Sequence, residues 1–195
     1  MIWVFTQPEP LTDEAKHLNA LLDAGVDALL LRKPGWSQAQ YVQLLEQLDT
    51  KHFPRVMLSG LPALAASFGL MGVHMSEIKR QALFNGVVYP PMLYRSAAIH
   101  TERAIPVLSV SWDCLLLSPV FDSISKKGYK ATVDADFRIA QLPCKILALG
   151  GIDEQTAPKA RSMGFSGIAT MGAVWKNPSL SINAFERIQQ AWNSM

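Results

Sequence analysis

The chain has 195 residues, 49% of them apolar, and a formal net charge of +2, so it is long enough to bury a substantial core as one domain. The balanced charge, without a long basic run, argues against nucleic-acid binding. No stretch approaches the ~20 consecutive apolar residues of a membrane helix, and the first residues lack the basic start of a signal peptide, so we expect a cytoplasmic protein without membrane contact.

Short apolar runs alternate with longer amphipathic runs along the sequence, which predicts strands and helices in turn. The apolar runs predict strands at residues 2–5, 27–32, 55–58, 72–75, 92–98, 114–117, 145–149 and 166–170. The amphipathic runs predict helices at residues 12–25, 37–48, 61–69, 153–164 and 182–192. Thr12 and Ser37 are suited to cap the first two helices, and Gly25 to end the first.

Eight strand–helix units with continuously apolar strands predict a parallel sheet that is buried on both faces. Eight such units favour a single compact (β/α)8 TIM barrel over residues 1–195. The chain is short for this fold, so the fourth and fifth helices should be short. The competing fold is an open doubly wound sheet, but no G-x-G-x-x-G follows the first strand.

Barrel chemistry is found at the C-terminal ends of the strands, where the loops converge. The strand-end residues with charged or hydroxyl side chains include Arg32, Lys33, Ser59, His74, Ser76, His100 and Ser118. This set combines cations and hydroxyls with few carboxylates, which predicts a pocket for an anion.

Two glycine-containing turns follow the last two strands. Gly150 and Gly151 come after the seventh strand, and Met171 and Gly172 come after the eighth, where Gly172 should begin a short helix. Glycine lets backbone N–H groups approach an anion closely, and barrels often bind phosphate with these two loops. The sequence therefore predicts a phosphate site, and the alternative is that the glycines only make tight turns.

Several segments resemble the thiamine phosphate synthase/TenI superfamily, in the right order along nearly the whole chain. "LSPVFDSISKKGY" resembles its strand-six loop, and "ALGGI" with "MGFSGIATMGAVW" resembles its C-terminal signature. "ALLLRKP", "GVHM" and "IHTERA" resemble its elements at strands two, four and five. The resemblance implies a (β/α)8 fold and a small-molecule ligand, a thiazole phosphate, with a homo-oligomer left open.

The resemblance implies two candidate activities. A synthase joins an aminopyrimidine diphosphate to a thiazole phosphate and releases pyrophosphate, whereas a TenI-type member aromatises a carboxylated thiazole phosphate tautomer by moving a proton. A third hypothesis is a non-catalytic binder of thiazole or thiamine phosphate. All of these use the phosphate site at Gly150, Gly151, Met171 and Gly172.

The residues after strands three and four favour the tautomerase over the synthase. Ser59 and Gly60 stand where the resemblance implies the Asn and Asp of a synthase, and "HMSEIKR" offers no Asp after His74. Mg²⁺ prefers carboxylate oxygens, so we predict no metal site and no cofactor. Mg²⁺ is expected only if the chain is a synthase with an altered metal site.

His100 matches the strand-five loop histidine of TenI proteins, and histidine can exchange a proton near neutral pH. We therefore predict that His100 is the general acid and base, the alternative being a loop histidine that caps the next helix. His74 is predicted to line the pocket, the alternative being a hydrogen-bonded structural residue.

The remaining predicted site residues bind substrate. Arg32 and Lys33 should hold a carboxylate or pyrophosphate, the alternative being cations exposed to solvent at a strand end. Lys126 matches the family lysine near the anionic leaving group, and Ser118 could hydrogen-bond the heterocycle.

Overall fold

The computed structural model describes residues 1–82, 90, 92–122, 131–134, 136–140 and 142–194. Eight parallel strands follow one another around a closed barrel, and the first strand pairs with the last. This architecture confirms the predicted (β/α)8 barrel and excludes an open sheet. The strands are β1 Ile2–Phe5, β2 Ala28–Leu31, β3 Val56–Ser59, β4 Gly72–Met75, β5 Tyr94–Ile99, β6 Cys114–Leu117, β7 Lys145–Leu149 and β8 Gly167–Thr170.

Eight α-helices are formed by the described residues, and the fourth and fifth are short as predicted. They are α1 Glu14–Asp23, α2 Gln38–Leu45, α3 Pro62–Ser67, α4 Glu77–Ala82, α5 Ile105–Leu108, α6 Ala157–Ser162, α7 Gly172–Trp175 and α8 Ser181–Asn193. Among these helices none is long and apolar enough to cross a membrane.

The predicted helix starts have different outcomes. Ser37 caps α2 in a reciprocal capping box with Gln40, as the sequence predicts. The prediction that Thr12 caps α1 is wrong, because the residue before the helix is Asp13, which has a left-handed backbone and makes no side-chain cap. The helix begins instead with Glu14, whose buried carboxylate pairs with a lysine beyond β2.

The core has two layers, separated by the strands. Inward-facing side chains fill the barrel, and outward-facing ones pack beneath the helices. Within β2, Ala28 and Leu30 face inward while Leu29 and Leu31 face the helices. Because both faces of most strands are covered, these strands are apolar at nearly every position, which made them recognisable in the sequence.

Candidate active site

The alternation of side chains along each strand decides which strand-end residues face the mouth of the barrel. Arg32 continues the inward series of Ala28 and Leu30, because side chains two residues apart share a face. The same reasoning applies to Ser59 after Met57 and to Ser118 after Leu116. The structure therefore brings several predicted residues to one end of the barrel.

His100 lies at this mouth with 45% of its side chain exposed. Its Nδ1 is 2.7 Å from the carbonyl oxygen of Ser118. A carbonyl oxygen only accepts, so Nδ1 donates, and Nε2 is the proton-accepting nitrogen of the neutral ring. Nε2 is 3.8 Å from Oε2 of Glu77. A proton that binds at Nε2 would therefore lie next to the Glu77 carboxylate.

The capping role considered for His100 is filled by its neighbour. The hydroxyl of Thr101 accepts a hydrogen bond from the backbone N–H of Arg103 at 3.3 Å. This caps the short 3-10 helix Glu102–Ala104 that follows β5. His100 instead contacts the end of β6.

Glu77 begins α4 and is held in place by its own helix. Its Oε1 accepts a hydrogen bond from Nη2 of Arg80 at 3.3 Å, and the Arg80 side chain is only 10% exposed. The pair spans one helical turn. The carboxylate beside His100 is therefore fixed in position and partly neutralised, and sequence reasoning gave it no role.

His74 is buried inside the barrel, with 3% of its surface exposed. Its Nδ1 lies 2.9 Å from Oγ of Ser96, and its ring packs edge-on against Phe5. Burial, and to a smaller extent the charge of Arg32, lowers the pKa of His74 to about 3. The ring is therefore uncharged at neutral pH. This is the environment of a hydrogen-bonded structural histidine, so we assign it no proton transfer.

Arg32 and Lys33 are sequence neighbours with different surroundings. Nζ of Lys33 is 2.5 Å from Oε1 of Glu14 in α1 and donates to the carbonyl oxygen of Glu9 at 2.9 Å. Its side chain is fully buried, so its charge is neutralised within the protein. In contrast, the guanidinium of Arg32 has no hydrogen-bond or ion-pair partner among the residues that the structure describes.

Lys79 in α4 is a cation at the mouth that sequence reasoning missed. Its side chain crosses Gly60, where a Cβ would lie 2.4 Å from Nζ and 2.8 Å from Cδ of the lysine. The sequence signal was indirect: a glycine at the end of β3 and a lysine in the helix after β4.

A pocket of about 240 Å³ opens between the ends of β2, β3 and β4. It is lined by Arg32, Lys33, Pro34, Gly35, Trp36, Tyr41, Ser59, Leu61, Ser76 and Lys79. No carboxylate is present in this lining. Of the three cations in this lining, Lys33 is paired with Glu14, and Arg32 and Lys79 have no ion-pair partner within the described part of the chain.

The glycines after β7 pack tightly against the loop after β6. Gly150 and Gly151 have left-handed φ values of 94° and 66°. A Cβ on Gly151 would lie 2.4 Å from the carbonyl oxygen of Asp122, and one on Gly150 would lie 2.8 Å from Cα of Pro119. This close packing of backbone against backbone requires glycine at both positions by itself. It is the arrangement expected if the glycines only make tight turns.

The ends of β7 and β8 form a continuous corner. Leu149 pairs with Ala169, and the hydroxyl of Thr170 donates to the carbonyl oxygen of Ile152 at 3.1 Å. Gly172 begins α7 as predicted, and the first N–H groups of a helix lack acceptors within it. Lys126, the last predicted site residue, lies outside the described residues.

The mouth does not fit the magnesium ion that the resemblance implies for a synthase. No cluster of three or more His, Cys, Asp or Glu side chains exists among the described residues, and the rest of the sequence contains no Asp or Glu. At the ends of β3 and β4 the side chains are the hydroxyls of Ser59 and Ser76 with the ammonium of Lys79. An ammonium repels a divalent cation, so this donor set is unsuited to Mg²⁺.

The closed parallel barrel carries cations, hydroxyls and glycine turns at the C-terminal ends of its strands. These features place the protein in the class of (β/α)8 proteins that have a cationic site at the mouth of the barrel. Within that class, the chain belongs to the thiamine monophosphate synthase family, whose model matches residues 2–174. This family of thiamine-biosynthesis enzymes is the one that the sequence segments resemble, so that prediction is confirmed.

Individual relatives are distant but cover most of the chain. A putative thiamine-phosphate synthase from Geobacter sulfurreducens is 24% identical over 169 residues, covering 80% of this chain and 77% of the relative. A thiamine-phosphate synthase from Chlamydia caviae is also 24% identical, over 192 residues, covering 92% and 89%. Such relatives are similar in sequence over most of the barrel.

A solved structure shares the fold. The thiamine phosphate pyrophosphorylase from Bacteroides thetaiotaomicron superposes with a TM-score of 0.77 at 21% identity, covering 97% of this chain and 96% of that chain. The corresponding protein from Pyrococcus furiosus has a TM-score of 0.72 at 16% identity, covering 99% and 95%. These similarities support the barrel fold.

Proposed function

We propose that the protein is a metal-independent thiazole tautomerase, which binds a carboxylated thiazole phosphate and aromatises it by moving a proton. The observation that carries this proposal is the setting of His100, whose Nδ1 is engaged by the Ser118 carbonyl while Nε2 is left to exchange a proton. The reaction needs one group of this kind and no metal. The unsuitable donor set for Mg²⁺ supports the same choice.

In the proposed step, Nε2 of His100 accepts a proton from the thiazole tautomer and returns one to a second position. The substrate gains and loses one proton, so no oxidant, reductant or co-substrate is consumed. The carboxylate of Glu77, 3.8 Å from Nε2, stabilises the imidazolium that exists between the two transfers. The bond from Nδ1 to Ser118 keeps the ring oriented through both.

We place the substrate phosphate at the corner formed by the ends of β7 and β8. Gly151, Gly172 and Met171 present backbone at this corner, and the register of β7 with β8 makes their loops neighbours. The first N–H groups of α7 attract an anion because they lack acceptors within the helix. Ser118 lies beside Gly150 at the end of β6, the strand between β5, which His100 follows, and β7. In this proposal Ser118 therefore lies between the proton-transfer group and the phosphate.

The first test is replacement of His100. His100→Gln should lower turnover of the carboxylated thiazole phosphate roughly 100- to 10,000-fold, the usual contribution of a general acid and base, with little change in substrate affinity. Single-turnover measurements of tautomer conversion would show it. His17→Gln makes the same change in α1, at a residue outside the pocket lining, and should retain full turnover. If His100→Gln turned over at the normal rate, the proton-transfer role would be lost.

A second candidate is synthase-type condensation without a carboxylate-bound metal. The observation that favours it is the cationic pocket with Arg32 and Lys79, together with the names of the curated relatives. It predicts pyrophosphate release from the aminopyrimidine diphosphate and thiazole phosphate, with and without Mg²⁺. No release with both substrates present would eliminate it. Tight binding of thiazole phosphate without any turnover would favour the non-catalytic binder instead.

A further inference from the structure

We propose that Lys79 and Arg32 form an oxyanion subsite that works without a metal ion, between the ends of β2, β3 and β4. In it, the ammonium of Lys79 supplies the positive charge that a synthase of this family is expected to supply with Mg²⁺. The ligand is an oxyanion, either a diphosphate or a substrate carboxylate. This inference is independent of the proton-transfer role of His100.

The geometry around Gly60 is the first support. Gly60 has φ +73°, a conformation that most side chains rarely adopt. A Cβ here would lie 2.4 Å from Nζ of Lys79, so any larger residue would displace the ammonium. The resemblance implies an Asp at this position in synthases. The glycine therefore removes a metal-binding carboxylate and at the same time makes room for a cation.

The charge in the pocket is the second support. The guanidinium of Arg32 and the ammonium of Lys79 face one pocket of about 240 Å³ whose lining contains no carboxylate. Neither side chain has an ion-pair partner within the part of the chain that the structure describes. Like charges that share a concave site attract a counter-anion. The neighbouring Lys33 differs from these two cations, because its charge is neutralised by Glu14.

The hydrogen-bonding groups of the pocket are the third support. Arg32 offers a planar fork of donors that matches a carboxylate or phosphate edge. The hydroxyls of Ser59 and Ser76 line the same pocket. Lys79 is oriented by its helix, since its backbone N–H donates to Oγ of Ser76 at 3.3 Å. These donors suit an anion and offer a cation only hydroxyl oxygens.

The test is binding of inorganic pyrophosphate to the protein by calorimetry, with EDTA present. The wild-type protein should bind it, and Lys79→Gln should bind it about 10- to 100-fold more weakly, because a charge-assisted hydrogen bond is lost. Lys16→Gln removes the same charge from an exposed position of α1 and should bind normally. Circular dichroism should show that all three proteins are folded alike.

Two further arms identify the ligand and the role of the metal. Binding of carboxylated thiazole phosphate and of the same compound lacking the carboxylate is measured for the wild type and for Lys79→Gln. This comparison shows whether Lys79 contacts a carboxylate, and the pyrophosphate titration shows whether it contacts a diphosphate. A weaker contact with either group supports an oxyanion subsite and identifies its ligand. In Gly60→Asp/Lys79→Gln, which restores a carboxylate, pyrophosphate binding should become dependent on Mg²⁺. Binding that needs Mg²⁺ in the wild type, or that Lys79→Gln leaves unchanged for every ligand, would overturn the proposal.

Because His100→Gln leaves this pocket intact, its binding of pyrophosphate should equal that of the wild type. Loss of turnover in His100→Gln with normal binding would support both proposals. Normal turnover in His100→Gln with weakened binding in Lys79→Gln would reject the proton-transfer role and keep the subsite. The two proposals can therefore fail separately.

Discussion

His74 and His100 lie at the ends of the neighbouring strands β4 and β5 in opposite environments. His74 is enclosed by the barrel and packs on Phe5, whereas His100 is almost half exposed. Desolvation disfavours the charged form of a buried imidazole. The barrel therefore keeps His74 neutral and leaves His100 accessible to a ligand at the mouth.

Burial of His74 makes the stability of the protein dependent on pH. An unfolded histidine binds a proton near pH 6.5, but the pKa of His74 in the folded protein is about 3. Between these values the unfolded state binds more protons, so the free energy of unfolding falls as pH falls. The contribution is fully present above about pH 6.5 and declines by about 1 kcal/mol per pH unit between pH 6 and 5.

The measurement is urea unfolding of the wild type and of His74→Gln at pH 7, 6 and 5. His74→Gln is expected to be less stable at pH 7, because the contacts with Ser96 and Phe5 change, but its stability should fall less steeply with acid. His17→Gln should keep the wild-type slope. Equal slopes for all three proteins would mean that His74 is not the group responsible.

Arg32 and Lys33 differ in the direction of their side chains, which the sequence alone did not distinguish. Arg32 and Lys33 are both cations after an apolar strand, and only the alternation of side chains separates an inward residue from an outward one. The partner of Lys33, Glu14, was visible as an acid at the start of a helix that is otherwise apolar on its inner face. Pairing them required the three-dimensional packing of α1 on β2.

At the scale of elements, α1 is joined to the end of β2 by a buried ion pair. Lys33 contacts Glu14 and lies 5.2 Å from the centre of the Trp36 ring. The hydroxyl of Tyr41 in α2 accepts from the Lys33 N–H at 2.8 Å. The lysine therefore positions both of the first two helices relative to the strand that presents Arg32.

Replacing one member of this pair should be strongly destabilising. Lys33→Met would leave the Glu14 carboxylate buried without its cation, with an expected loss of about 3–5 kcal/mol in the free energy of unfolding. The double variant Lys33→Met/Glu14→Leu should recover most of that loss, because no charge remains buried. Denaturant unfolding would measure both, and a loss below about 1 kcal/mol in the single variant would mean that the pair behaves like an exposed one.

The strands were predictable with almost their observed bounds, whereas the loops that carry the site were not. Continuous apolar runs such as residues 114–117 and 145–149 match β6 and β7 because both faces of these strands are buried. The strand predicted at residues 92–98 is observed at Tyr94–Ile99, since four of its six residues are small or polar and blur its bounds. The contact of Lys79 with Gly60 joins helix α4 to the loop after β3, and no periodic pattern reveals it.

At the scale of the molecule, the two ends of the chain meet where β1 pairs with β8, and the last helix packs on both sides of this junction. The last helix, α8, contacts α1, α6 and α7, and Phe185 in α8 is fully buried. Nη1 of Arg161 in α6 donates to the carbonyl oxygen of Trp192 in α8 at 2.6 Å. We therefore expect residues 1–195 to unfold as one domain.

The domain prediction can be tested with a core variant. Phe185→Ala should lower the free energy of unfolding by about 3–5 kcal/mol, and the far-ultraviolet and near-ultraviolet circular dichroism signals should still change together. Leu180→Ala, at a residue that is 51% exposed, should change stability by no more than about 0.5 kcal/mol. Two separate transitions in either protein would contradict a single domain.

The pairing of β1 with β8 has a consequence for the chain during synthesis. Residues Ile2, Trp3 and Val4 pair with Ile168, Ala169 and Thr170, and the indole of Trp175 donates to the carbonyl oxygen of Phe5 at 2.6 Å. Until the ribosome has made β8, the apolar β1 remains an open sheet edge, and such edges readily pair with other chains. The nascent polypeptide therefore exposes an aggregation-prone strand edge until β8 is available to pair with it.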